Sequence, residues 1–377
     1  MPFAVDRRLV SHELHPILDR VDAGLRISDA DCTVLYESSD LNGVGAIANV
    51  VRERKNGNVA TYIHNRYINY SNICILSCQF CAFGAKKRDA HAFELAIPEI
   101  VETVRQGLTD GITEIHMVGG LHPTLNKDWY LDLLQSLRAL DPDLYIKAFT
   151  AVEIRHLADR IFKMPLTDTL ELLKENGLGA ITGGGAEIFD QEIRDKICVG
   201  KETADEWAEV HRTWHELGGR STCTMLYGHI ETTAHRVDHL RRLRDLQDLT
   251  GGFTAFIPFA FEPDGARPSL KGIPHATAYE ELRNLAVSRI YLDNIDHITA
   301  YWISLGLPLA QIALSYGVDD LHGTINEEKI FHMAGATTPQ QQTVYALEKA
   351  IREAGREPMQ RNTFYERIPS TVTRQAA

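Results

Sequence analysis

The chain has 377 residues, 44% hydrophobic and 24% charged, which is ordinary usage for a folded globular protein and excludes intrinsic disorder or a fibrous repeat. Its formal net charge of −12 argues against a surface that coats nucleic acid, because phosphate neutralisation needs clustered cations. The length allows two or three average domains or one α/β barrel.

Met1 to Arg20 carries no basic segment followed by an uninterrupted apolar run, and no stretch approaches the ~20 apolar residues of a membrane span. A cytoplasmic protein without membrane contact is the expectation. The first 60 residues read as an N-terminal helical extension, with helices over Leu9–Val21, Asp29–Glu37 and Asp40–Lys55. From Tyr67 onward, short β-rich runs alternate with amphipathic helices, as in βα units around a parallel sheet. Eight runs are predicted: Ile68–Ile73, Ile112–Val118, Leu144–Phe149, Ala180–Thr182, Thr222–Tyr227, Thr254–Phe259, Ile298–Ile303 and Gln311–Ser315. Their number and spacing match an α/β fold of the (β/α)8 type over residues 61–335, a barrel under an N-terminal helical cap. Residues 336–377 are expected to add a helix and a tail packing on it, loosely ordered from Arg361.

Between the strands, Thr203-x-x-Glu206 is a capping box opening a helix whose inner stripe is Trp207, Val210, Trp214 and Leu217. Val237, Leu240, Leu243 and Leu246 recur at helical spacing beside a run of arginines, so that segment reads as a solvated helix rather than a basic patch. His211/His215 and His235/His239 are i, i+4 pairs, but neither encloses the glutamate of a His-Glu-x-x-His site, and both read as surface polar residues outside the barrel.

Polar and glycine-rich motifs follow the strands: Cys74 to Cys81, Gly119-Gly120, Glu153, Gly183-Gly184-Gly185 with Glu187, and Gly228-His229-Ile230-Glu231. They converge on the face where barrels carry their active sites. His116, Glu153, His229 and Glu231 are the candidate catalytic residues lining that mouth. His322, within Asp319–Thr324 after the eighth run, is a further polar candidate. In a reducing compartment a Cys-x3-Cys-x2-Cys loop points to a metal centre rather than to disulfides. Three thiolates suit an iron–sulfur cube that keeps one iron open; a zinc site completed by Cys32, Cys198 or Cys223 is the alternative.

Cys74-x3-Cys78-x2-Cys81, with Phe80 before the last cysteine and a strand before the first, resembles the signature of the radical SAM superfamily. Within it, Asn69–Cys74, His116–Pro123, Lys147–Ile154, Gly183–Phe189, Met225–Thr232 and Phe256–Phe261 resemble the aminodeoxyfutalosine synthase family, over residues 35 to 365. Tyr70 departs from that pattern, standing where a proline is common. The resemblance implies a [4Fe–4S] cluster held by Cys74, Cys78 and Cys81, whose open iron chelates S-adenosylmethionine (SAM) and yields methionine and a 5′-deoxyadenosyl radical. It further implies that Phe80 lies against adenine, that Gly119 and Gly120 border the methionine moiety, and that Gly184 and Glu187 contact SAM. The implied reaction joins the adenosyl group to 3-[(1-carboxyvinyl)oxy]benzoate, giving 6-amino-6-deoxyfutalosine, methionine and bicarbonate on a route to menaquinone. An electron donor such as flavodoxin or ferredoxin is expected. The related alternative is a dehypoxanthine futalosine cyclase that abstracts hydrogen; a non-catalytic metal-binding protein is the other. A substrate with two carboxylates needs local cations, and Lys147 and Arg267 are the candidates.

Overall fold

The structure is a computed structural model and describes residues 5–368. Among the described residues ten strands lie in chain order: β1 (Val59–Ile63), β2 (Asn65–Ile68), β3 (Glu114–Met117), β4 (Tyr145–Ala148), β5 (Ala180–Ile181), β6 (Arg220–Tyr227), β7 (Phe253–Ala260), β8 (His297–Ile298), β9 (Asp320–Gly323) and β10 (Glu357–Gln360). β2 to β8 form a seven-stranded parallel sheet in chain order, and β1 lies between β9 and β10 in a second, three-stranded parallel sheet. A Thr299–Asp320 bridge joins β8 to β9, and the Tyr67 amide of β2 donates to the Ile325 carbonyl beyond β9 at 2.8 Å. The sheets curl into a TIM-type barrel with helices outside, each hiding an apolar stripe. In Ala204–Glu216 the predicted capping box is present and Trp207, Val210 and Trp214 are fully buried.

Several expected elements differ. Gln311–Ser315 is not the eighth strand: Gly306 in the left-handed region (φ +74°) and Pro308 open the helix Leu307–Ala313, and β9 follows it. A short apolar run does not distinguish strand from helix by period alone. Ile298–Ile303 is strand only at its start, because Trp302–Leu305 turns helical. The first run lies earlier than expected, with Asn69 to Ile73 already belonging to the cysteine loop, and β1 was not expected at all. The first helix begins only at His15, after two 3-10 turns.

The expected loose tail is the largest departure. Residues 361–365 close the bottom of the barrel. Arg361 grips Asp320 with Nε at 2.6 Å and Nη2 at 3.1 Å, Thr363 donates to Glu114 at 2.7 Å, and Tyr365 stacks on His297 at 3.7 Å. Residues 369–377 of that tail lie outside the described residues. Among the described residues no helix is long and apolar enough to cross a membrane.

Candidate active site

A cavity of about 280 Å³ opens at the carboxyl ends of the strands. Cys74, Cys78 and Cys81 line it together with Phe80, Gly119, Gly120, Gly184, Glu187, Glu153 and His116. The cysteine loop is built by its own chain. Lys86 Nζ donates to the carbonyls of Cys74, Ile75 and Leu76 at 2.9, 2.9 and 2.8 Å, gathering three backbone acceptors that the loop cannot pair internally. The Asn72 side chain bridges to the His91 carbonyl and the Phe93 amide, both within 2.9 Å.

Burial pushes the Cys78 thiol up to about 12, against the pull of the nearby Lys201 cation, and also raises Cys81, whose sulfur accepts the Gly84 amide at 3.3 Å. A bound cation would reverse that preference, since metal ligation deprotonates thiols. Among the described residues the sole group of three potential ligands converging within 4.8 Å is Glu262, Asp264 and His275, not the cysteines. None of Cys32, Cys198 and Cys223, the thiols that a zinc site would need as a fourth ligand, lines the cavity beside the three, which favours the three-thiolate site over the zinc alternative.

The two glycines at the end of β3 line the cavity and also allow close packing behind it. A Cβ on Gly119 would stand 2.5 Å from the Tyr70 ring, and one on Gly120 would stand 2.4 Å from the Ile73 carbonyl oxygen. The cysteine loop thus rests directly on the β3 turn, which leaves their backbone to face the cavity. Gly184 is held similarly by Thr150, whose Cγ2 a Cβ would approach to 2.7 Å.

Glu153 is at the cavity, yet its carboxylate is committed. It accepts from Tyr70 Oη at 2.7 Å, Gly119 N at 2.9 Å, and both Thr150 N and Thr150 Oγ1 at 2.8 Å. It is a positioning residue that ties three strand ends together, and Tyr70 is part of that tie. Burial raises its pKa while these donors oppose the rise. Glu187 is also engaged, by Lys201, whose ammonium stands 5.6 Å from the Phe80 ring centroid. Burial disfavours charge on Lys201, but Glu187 and Cys78 together hold its pKa above the usual range. Lys201 was not singled out in the sequence, because a lysine just before a helix cap has no distinguishing pattern.

Other expected positions do not reach the site. The side chains of His229 and Glu231 are buried in the turn after β6 and do not line the cavity: Glu231 accepts from the Gly228 and His229 amides and pairs with Arg236, and His229 bonds to the Leu226 carbonyl. They shape a loop. Arg267 meets the cysteine loop only through its amide on Gln79 O at 2.9 Å and does not line the cavity. His211, His215 and His239 are buried rather than surface residues, bonded to Ser221 Oγ, Ser221 Oγ and the Thr224 carbonyl. Asp319 and Asp320 lie at the start of β9 and point to the barrel bottom, leaving His322 as the member of that motif that lines the cavity. Lys147 does not line the cavity either, but the strand register places it beside His116, which does.

A parallel barrel with the three cysteines of a Cys-x3-Cys-x2-Cys loop lining the cavity at its strand ends, and glycine-rich turns around them, defines the class of radical SAM enzymes. The family models agree, the radical SAM superfamily over residues 68–243 and the CofH/MqnC C-terminal region over residues 250–373. The chain belongs to the aminodeoxyfutalosine synthase family within that superfamily. It is 45% identical to the aminodeoxyfutalosine synthase of Thermus thermophilus, covering 94% of this chain and 96% of the relative. It is 42% identical to that of Streptomyces coelicolor, covering 92% of each. The cyclic dehypoxanthine futalosine synthase of Streptomyces coelicolor is 38% identical over 94% of this chain and 89% of its own. Among solved structures, methylornithine synthase matches with a TM-score of 0.72 at 20% identity, covering 90% of this chain and 96% of that one, a likeness of fold.

Proposed function

We propose that this chain joins the adenosyl group of SAM to 3-[(1-carboxyvinyl)oxy]benzoate, forming 6-amino-6-deoxyfutalosine with release of methionine and bicarbonate. The observation that carries the reading is the cavity itself, lined by the three cysteines and by a largely apolar, strand-enclosed interior, in a chain 45% identical to an aminodeoxyfutalosine synthase. When bound, the cluster and SAM supply a carbon-centred radical able to add to an alkene. Everything else is the work of the chain. Cys74, Cys78 and Cys81 hold the cluster as thiolates, and the Gly84 amide offers a hydrogen bond to the Cys81 sulfur. Gly119, Gly120 and Gly184 border SAM with backbone, Phe80 offers an aromatic face, and the Glu187–Lys201 pair offers charge of both signs.

Addition rather than hydrogen abstraction is a positioning task, in which the alkene must sit within near-attack reach. Phe259, Tyr301 and Phe331 pack against one another at ring-centroid distances of 5.1–5.7 Å and wall the cavity, which keeps water away from a reactive carbon. Glu153, Tyr70 and Thr150 fix the strand ends that carry the glycines. A small electron-transfer protein is the expected reductant.

The test is anaerobic turnover of reconstituted, reduced protein with SAM and the enol ether, following the adenosyl group by mass spectrometry. Adenosyl carbon covalently joined to the aromatic product is the expected result. Free 5′-deoxyadenosine beside intact enol ether would overturn the substrate and favour a hydrogen-abstracting relative such as a futalosine cyclase.

A further inference from the structure

Below the glycines, the interior of the barrel is layered. Strand register aligns Tyr67, His116, Lys147 and Ala180 across β2 to β5, and Asn65, Glu114 and Tyr145 form the layer beneath. The upper layer lies three residues below Gly119 on β3, about 10 Å at the usual rise of a strand. His116 and His322 line the deep end of the cavity, their ring centroids 6.3 Å apart. Tyr67 lies between them, stacked on His116 at 4.4 Å with its hydroxyl 3.2 Å from His322 Nε2.

This layer holds a cation and no anion. Lys147 is 6% exposed, and among the described residues it makes neither a salt bridge nor a hydrogen bond within the distances that define them elsewhere in the protein. Of the acids beneath, Asp320 is gripped by Arg361, Thr61 and Thr299, whereas Glu114 accepts only from the neutral Asn65 and Thr363, so its charge still favours the ammonium of Lys147. Nδ1 of His116 and Nδ1 of His322 are both buried without a partner. Burial, reinforced by the Lys147 charge, holds both imidazoles well below their usual range, so each is a neutral donor or acceptor rather than a second cation. His322 also adopts φ +63°, a conformation costly for a residue with a side chain and common where function fixes the backbone. A buried ammonium with no direct ion pair is costly, and burial lowers the pKa of Lys147 against the pull of Glu114, so an anion brought into this layer would be favoured there. Ala180, the small residue beside Lys147 in the register, keeps that side of the layer open.

We propose that the ring carboxylate of the substrate is received at this floor, by His116, His322 and the Tyr67 hydroxyl, with Lys147 as its counter-charge. The inference rests on the enol-ether reading above and deepens it. The ring carboxylate is the end of that molecule farthest from the alkene, so seating it about 10 Å below the glycines turns the alkene up toward the cluster end. It is also the carboxylate the reaction retains, which makes it the anchor available throughout turnover. The net acidic chain thereby meets an anionic substrate with one local cation.

The experiment compares two substrates, the enol ether and 2-phenoxyacrylate, which lacks only the ring carboxylate, using reconstituted wild-type protein, Lys147→Met and His116→Gln. Wild type should prefer the full substrate in kcat/KM by roughly 10- to 100-fold, the range for a hydrogen-bonded charge. Lys147→Met should collapse that preference to within a few-fold, chiefly by raising KM for the full substrate. His116→Gln, which keeps Lys147, should reduce the preference in part and gives a second reading should the lysine variant fold poorly. A merely structural role would lower both substrates together and leave their ratio intact, and that result would overturn the inference while leaving the reaction standing. Wild type that joins adenosyl carbon to neither substrate would overturn the reaction itself, and the carboxylate assignment with it.

Discussion

The contact between Gly119 and Tyr70 gives the most direct test of how the strand ends are assembled. Gly119→Ala would set a methyl carbon 2.5, 2.7 and 2.8 Å from three atoms of the Tyr70 ring, about 1 Å inside ordinary carbon contact. The ring cannot swing aside. It is 1% exposed, hemmed by Trp129, Tyr130 and Phe149 at centroid distances of 5.6, 6.3 and 6.4 Å, and tethered by its hydroxyl to Glu153. Overpacking of this kind costs about 2 kcal/mol, or roughly 4 °C in thermal midpoint for a protein of a few hundred residues. Tyr70→Leu alone removes the ring and one donor to Glu153, a loss of about 2–3 kcal/mol. In the double variant the clash no longer exists, so the total should be smaller than the sum by about 2 kcal/mol. Thermal midpoints of the four apoproteins, handled anaerobically and followed by far-ultraviolet circular dichroism, measure that coupling. Additivity within about 0.5 kcal/mol would refute the reasoning. Gly120→Ala is the contrast: its clash is with backbone at Ile73, next to Cys74, so no side-chain truncation should relieve it.

Two further predictions rest on single groups. Lys86→Met removes the ammonium that gathers the Cys74, Ile75 and Leu76 carbonyls, and iron bound after reconstitution should fall below half of wild type while circular dichroism stays the same; full iron loading would show that the loop organises itself. Glu281 is buried in the helix Ala278–Tyr291, and burial, with Glu280 adding to it, pushes its carboxyl up to about 7 from an ordinary 4.5. The folded protein then binds a proton that the unfolded chain releases, so stability falls as pH rises from 4.5 to 7 and levels off above. Glu281→Gln abolishes that loss, so the variant and wild type should differ by a constant below pH 4.5, with the variant gaining up to about 3 kcal/mol by pH 8. A difference in unfolding midpoint that does not change between pH 4 and pH 8 would show that Glu281 does not titrate in this window.

What the sequence reveals and what it conceals follow from the range of the interactions. The cysteine loop, the glycine pairs and the helix caps are encoded within a few residues, and a local pattern is enough to read them: Thr203 and Glu206 form the capping box their spacing predicts. Burial is different, because it is a property of neighbours far away in the chain. The histidines on outer helices look like surface residues at i, i+4 spacing, yet the helix face they occupy packs on β6, where Ser221 bonds to both His211 and His215. Glu153 and Tyr70 stand 83 residues apart, and only the fold shows that the carboxylate serves the tyrosine and the Gly119 amide instead of a substrate. The barrel floor is the extreme case. Arg361, in a segment with the polar composition of a tail, folds under the barrel and neutralises Asp320. That long-range pairing takes up Asp320 and leaves Lys147 with no direct ion pair among the described residues, so the charge available to an anionic substrate depends on a contact made more than 200 residues along the chain.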